Sequence, residues 1–135
     1  MDKTVLQKVY SYIDEFLSLK RGDTIKNHTE SIRLNEVSTI KRRGLKHIVE
    51  SRLEDGYSPE KIKLMMTHAP NVVKEPEFRI PNKNKRYPGS EVSVRYFTDE
   101  KQALLVIHQG GEIKDIFNAY YRSKPGYERL LKELK

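Results

Sequence analysis

His47 stands beside Lys46 and five residues before Arg52 in the run GLKHIVESRL (44–53). Further along come Arg95 in EVSVRYF and Asn118, Tyr120 and Tyr121 in NAYY, with Arg122 next. Between them the loop RIPNKNKRYPG carries Arg79, Lys83, Lys85, Arg86 and Tyr87. These types suit one chemistry in particular, cleavage of RNA without a metal or cofactor. A base takes the 2′-OH proton, the oxygen attacks its own phosphate, and an acid protonates the departing 5′-oxygen. An imidazole titrates near neutrality and fits the base or acid role, and the helix position makes His47 the expected base. Lys and Arg stabilise the charge on the phosphorane, Arg with a fixed fork. Tyr and Asn side chains hold a hydroxyl or a non-bridging oxygen. A basic loop with a tyrosine in it tracks a phosphate backbone and stacks one base; an ordinary solvated loop has the same composition.

The helix that presents His47 is unusual. At 100° per residue, Leu45, Ile48, Val49 and Leu53 share one face, and Arg52 falls within it. His47 points nearly opposite. A charge on an apolar face is costly unless paired or hydrated. Arg52 therefore either snorkels to the rim or reaches into a polar site under the helix. The other histidines are weaker candidates. His28 lies in a neutral stretch, His68 near a helix end before Pro70, and His108 on an apolar strand. Their spacings match no metal motif, and no P-loop, GxGxxG or GxSxG is present. No metal and no cofactor are expected.

The chain has 135 residues and a net charge of +7. Residues 1–40 hold six basic and six acidic side chains, so the whole excess falls in 41–135. A basic segment of this kind attracts polyanions, nucleic acid foremost. There is no Cys, which excludes disulfides and thiolate zinc sites. No run of about 18 apolar residues spans a membrane, and the start MDKTVLQKVYSYIDEF lacks a signal-peptide core. A cytoplasmic location is the expectation.

The elements that must position these residues follow from periodicity. Residues 3–20 read as an amphipathic helix closed by Gly22 and Asp23, and 23–40 as a linker or short helix. Residues 1–40 are thus a helical N-terminal extension, either separate from the domain at 41–135 or part of it. The His47 helix runs to about Asp55, and Gly56 stops it. Ser58 caps a second helix with Pro59 at its first position, its Ile62, Met65, Met66 and Ala69 lining one face as far as Pro70. NVVKEPEFRI then reads as extended. In EVSVRYF, Val92, Val94 and Tyr96 face one way, Ser93, Arg95 and Phe97 the other. QALLVIHQ is an apolar strand, the glycine pair 110–111 a hairpin turn, and EIKDIFNAYY the returning strand. Gly126 opens a last helix. The fold class is α+β, with N-terminal helices packed on one face of an antiparallel meander and a short C-terminal helix.

The LKHI helix start, the basic loop and GSEVSVRYF…QALLVIHQGGEIKDIFNAYY resemble, over residues 41–122, the barnase–EndoU–colicin–RelE superfamily, and most of all its colicin D-type tRNases and phage-encoded relatives. The resemblance implies His47 as the family histidine and Lys46 as its neighbouring lysine, with Arg95 and the NAYY stretch as polar groups on the strands. Asn118 stands near the final strand where a Thr is common. What it implies is a metal-independent endoribonuclease acting on tRNA or another structured RNA, leaving a 2′,3′-cyclic phosphate. Such a protein is a toxin domain or a phage or mobile-element nuclease with a cognate inhibitor or immunity protein. The rival expectations are a non-catalytic nucleic-acid binder and an interaction protein of the immunity or phage accessory type. Turnover of RNA, salt-dependent binding without turnover, or neither separates the three.

Overall fold

The computed structural model describes residues 31–34, 36–83 and 86–134. The helix expected over 3–20, His28 and Lys85 lie outside them. The described chain is α+β, with six strands in one sheet: β1 (Ser31–Arg33), β2 (Ser38–Lys41), β3 (Phe78–Pro81), β4 (Glu91–Phe97), β5 (Gln102–Gln109) and β6 (Lys114–Ser123). Three helices accompany it: α1 (Arg42–Glu54), α2 (Pro59–Lys74) and α3 (Lys124–Glu133). The sheet order is β1-β2-β6-β5-β4-β3. Strands β3 to β6 form the expected antiparallel meander, but β2 joins β6 in parallel, Ser38 against Lys114 and Thr39 against Asp115, so the sheet is mixed.

Two sequence readings are corrected. Within the stretch read as linker or short helix, Ser31–Arg33 and Ser38–Lys41 are strands of the main sheet, with Leu34 and Ile40 in the core. They are too short to announce a period, and although they pair with each other, the strand that joins them to the meander lies over seventy residues downstream. The boundary drawn at 40/41 falls inside β2. Likewise α2 does not stop at Pro70. It continues to Lys74, and Val72 and Val73 are wholly buried in it. Proline removes one N–H and crowds the preceding turn. Yet Met65, Met66, Ala69, Val72 and Val73 keep helical spacing through the proline, and burying two valines, at about 1.5–3 kcal/mol each, offsets the lost bond. Extended chain begins only at Phe78.

Elsewhere local chemistry acts as expected. The Ser58 side chain accepts from the Lys61 amide at 3.1 Å, and Gly56 ends α1 with φ +92°. Gly110 leaves β5 with φ +131°, where a Cβ would lie 2.5 Å from the Ile113 carbonyl. The turn it starts is four residues long rather than a tight glycine pair.

The alternation in β4 and β5 divides two cores. Leu45, Ile48 and Val49 of α1 and the apolar face of α2 pack with Leu104, Val106, Ile116, Ala119 and Tyr121. On the opposite face Val92, Val94, Ala103, Leu105 and Ile107 pack with Leu130 of α3 and with Tyr127. The C-terminal helix thus covers the face that α1 and α2 leave open. Among the described residues no helix is long and apolar enough to cross a membrane.

Candidate active site

The parallel β2–β6 pairing decides what surrounds His47. Strand β2 runs directly into α1, with Lys41 as both the last strand residue and the helix N-cap. Two turns of helix then carry Gly44 and His47 over the start of β6. A cavity of about 390 Å³ results, lined by Lys41, Gly44, His47, Tyr87, Asp115, Ile116 and Phe117. His47 is exposed at its edge.

Its electrostatics favour an anion. Lys41 makes no side-chain cap bond, and the first turn of α1 contains no acidic residue. The sequence there is Lys41, Arg42, Arg43, Gly44. Helix N-termini carry partial positive charge and favour acidic residues. A lysine at the N-cap and no acid in the first turn leave that positive end uncompensated for any incoming phosphate.

Asp115 brings a carboxylate into the cavity. It is half-buried, and Thr39 Oγ1 donates to its Oδ1 at 3.5 Å. Burial pushes its pKa up from the usual carboxylate value, while Lys41 and the Thr39 bond pull it back. Tyr87 and Phe117 supply an aromatic wall, stacked with centroids 5.3 Å apart and planes 10° from parallel. Phe117 is placed by a bulge. Asn118 pairs with Ile107 and Ile116 with His108, so Phe117 is the extra residue, free to leave the ladder toward Tyr87.

The remaining sequence candidates fall elsewhere. Lys46 lies next to His47 on α1. Arg52 is 9% exposed, donates to the Ala119 carbonyl at 3.1 Å and pairs with Asp55 at 3.2 Å. It reaches the sheet rather than the rim, with its guanidinium carbon 5.6 Å from the Tyr120 ring and 5.8 Å from that of Tyr57. Asn118 Oδ1 accepts from the Ala119 amide at 2.9 Å. The Tyr121 amide donates to the Tyr57 hydroxyl at 2.9 Å. Arg95 donates to the Glu75 carbonyl at 3.4 Å and lines a separate cavity with His68 and Phe97. Arg79 is tied to Ser93 Oγ and the Val73 carbonyl. Lys83 is exposed, 4.0 Å from Glu133, and Arg86 and Arg122 are exposed too. Of the described residues singled out from sequence, the cavity joins only His47 and Tyr87.

Sequence reasoning missed Asp115, Thr39 and Phe117. Nothing local marks them, since each enters through strand pairing or the bulge. Lys41 did carry a signal, a basic cluster at a helix start where acids are normal. Among the described residues no group of three His, Asp or Glu is arranged to hold a metal ion. Comparisons of the chain with protein-family models, with curated proteins and with solved structures find no match.

Proposed function

We propose that the chain is a metal-independent endoribonuclease acting on tRNA or another structured RNA, with its active site in the His47 cavity. The observation that carries this reading is the meeting of His47, Asp115 and Lys41 beside the basic start of α1. Asp115, its pKa raised by burial, is the stronger base of its kind and takes the 2′-OH proton. The 2′-oxygen attacks phosphorus. Lys41 and the first-turn amides of α1 stabilise the charge that develops on the non-bridging oxygens. His47 gives a proton to the departing 5′-oxygen. This turns the expected base into the acid. The products are a 2′,3′-cyclic phosphate and a 5′-hydroxyl, and one proton passes to Asp115 as one leaves His47. The Tyr87–Phe117 stack accepts a neighbouring base on its face.

The barnase–EndoU–colicin–RelE resemblance supports the same reading, since an early helix bearing the histidine packs on the sheet. Incubation with total tRNA in EDTA, followed by end analysis of fragments, tests it. Fragments with cyclic phosphate ends are expected from the wild type and not from Asp115→Asn. Intact tRNA with the wild type sinks the reading.

One observation favours a non-catalytic RNA binder instead. Arg52, Arg79 and Arg95 all bond backbone carbonyls and none lines the cavity. Salt-dependent RNA affinity without fragments is its signature.

A further inference from the structure

A second cavity, of about 360 Å³, opens on the same face of the sheet at the start of α2. Glu60, Lys61 and Leu64 of the helix line it with Glu100, Gln102 and Tyr121. Two of its polar atoms stand unused. Tyr121 is 8% exposed, and its hydroxyl faces the Glu100 carboxylate without a hydrogen bond of ordinary length to any described residue. Glu100 Oε2 is also buried without a hydrogen bond to any described residue, while Oε1 lies 3.6 Å from His68 Nε2. Buried polar groups in native proteins are normally satisfied, so each such atom calls for a partner.

The surroundings specify that partner. Glu60 and Glu100 outweigh Lys61 by one charge, an acidic spot on a chain of net charge +7. It repels the polyanion that the rest of the domain attracts. The rings of Tyr57 and Tyr121 lie 6.2 Å apart at 29°, and both face a cation already, the Lys61 ammonium, 4.4 Å from one centroid and 5.3 Å from the other. Aromatic faces beside a carboxylate select ammonium and guanidinium groups. Leu64 is 43% exposed at the mouth and offers an apolar surface for an aliphatic stem. Burial, then the neighbouring Glu100 carboxylate, pushes the Tyr121 phenol above its ordinary range, so the hydroxyl stays neutral.

We propose that this cavity binds an alkylammonium or alkylguanidinium group, whose N–H groups donate to Glu100 Oε2 and to the Tyr121 hydroxyl oxygen. The incoming cation takes the place of the Lys61 ammonium over the two rings, and Lys61, half-buried, turns out to solvent. A free polyamine and the Lys or Arg side chain of a protein share this chemistry.

The full chain is titrated with n-butylammonium, spermidine, and N-acetylated lysine and arginine amides at constant ionic strength, following the backbone NMR shifts of Tyr57, Glu100 and Tyr121. Saturable binding in the millimolar range is expected. Glu100→Gln should weaken it about tenfold, the loss of one ion pair. Lys61→Ala should tighten it severalfold by removing the internal competitor. Glu60→Gln, at an exposed position, should weaken it about twofold and serves if Glu100→Gln fails to fold. Tighter binding of spermidine than of the blocked amino acids assigns the site to a free polyamine, and the reverse to a protein side chain. No saturation with any probe up to about 0.1 M, or saturation indifferent to both the Glu60 and Lys61 variants, overturns the proposal.

Discussion

Arg52 donates from Nη1 to the carbonyl oxygen of Ala119 at 3.1 Å, across 67 positions of chain. The bond covers a strand edge. β2 pairs with β6 only as far as Asp115, so among the described residues the rest of β6 lacks a strand neighbour on that side. Bare edges invite foreign strands. Here Arg52 takes the Ala119 carbonyl, Asn118 Oδ1 the Ala119 amide, and the Tyr57 hydroxyl the Tyr121 amide. The Tyr57 amide in turn donates to the Arg52 carbonyl, which holds the two covering residues together.

Substituting Arg52 should therefore affect stability and not chemistry. Arg52→Met leaves the Ala119 carbonyl unpaired and Asp55 without its partner, a loss of about 1.5–3 kcal/mol for a hydrogen bond to a charged group. The urea midpoint should fall, while cleavage per folded molecule stays near wild type. A drop in cleavage with an unchanged midpoint would return Arg52 to the active site.

His47→Ala should do the opposite. The side chain is exposed and makes little packing, so the midpoint should hold within about 0.5 kcal/mol. Loss of a proton-transfer group should slow RNA cleavage by roughly 10²–10⁴-fold. Cleavage at the wild-type rate by the folded variant would remove His47 from the mechanism.

The cations around the cavity can be read from salt. Removing a single cation that neutralises a phosphate should lower the slope of log affinity against log salt by about 0.7–0.9. Lys41→Ala should cost one such step. Changing Lys83, Lys85 and Arg86 together to Ala should cost more if the β3–β4 loop lies along the RNA, and an unchanged slope would separate the loop from the substrate.

A buried histidine sets the acid response. Ser93 Oγ lies 2.6 Å from His108 Nε2, and Arg79 Nε donates to the same oxygen at 3.0 Å. With Arg79 as donor, the serine hydroxyl gives its proton to a neutral Nε2. Burial foremost, then the Arg79 and Lys114 charges, brings the His108 pKa down to about 4. The unfolded chain then binds a proton that the folded one refuses, so stability rises with pH across this window. It should fall as pH drops from about 6.5 to about 4, by at most about 3 kcal/mol, and level off below. Urea midpoints at several pH values check this, and His108→Gln should flatten the dependence. A profile as steep in the variant would assign the acid response to other groups.

The fold was legible where a local period exists. The faces of α1 follow from Leu45, Ile48, Val49 and the opposed His47, and those of β4 from strict alternation. The oddity of Arg52 was visible too, but its resolution was not. Periodicity reports that a charge faces the core and says nothing of the carbonyl that meets it.

The sequence by itself determined α1, the start of α2, the strands β4 to β6 and a C-terminal helix, the concentration of positive charge in residues 41–135, and the exposure of His47. These depend on neighbours a few residues apart, whose interactions repeat with the pitch of a helix or the pleat of a strand. Only the tertiary structure decided that β2 lies parallel to β6, that Thr39 meets Asp115 across 76 positions, and that a bulge turns Phe117 toward Tyr87. Such pairings are selected by the packing of whole faces against one another, so no short stretch of chain contains them.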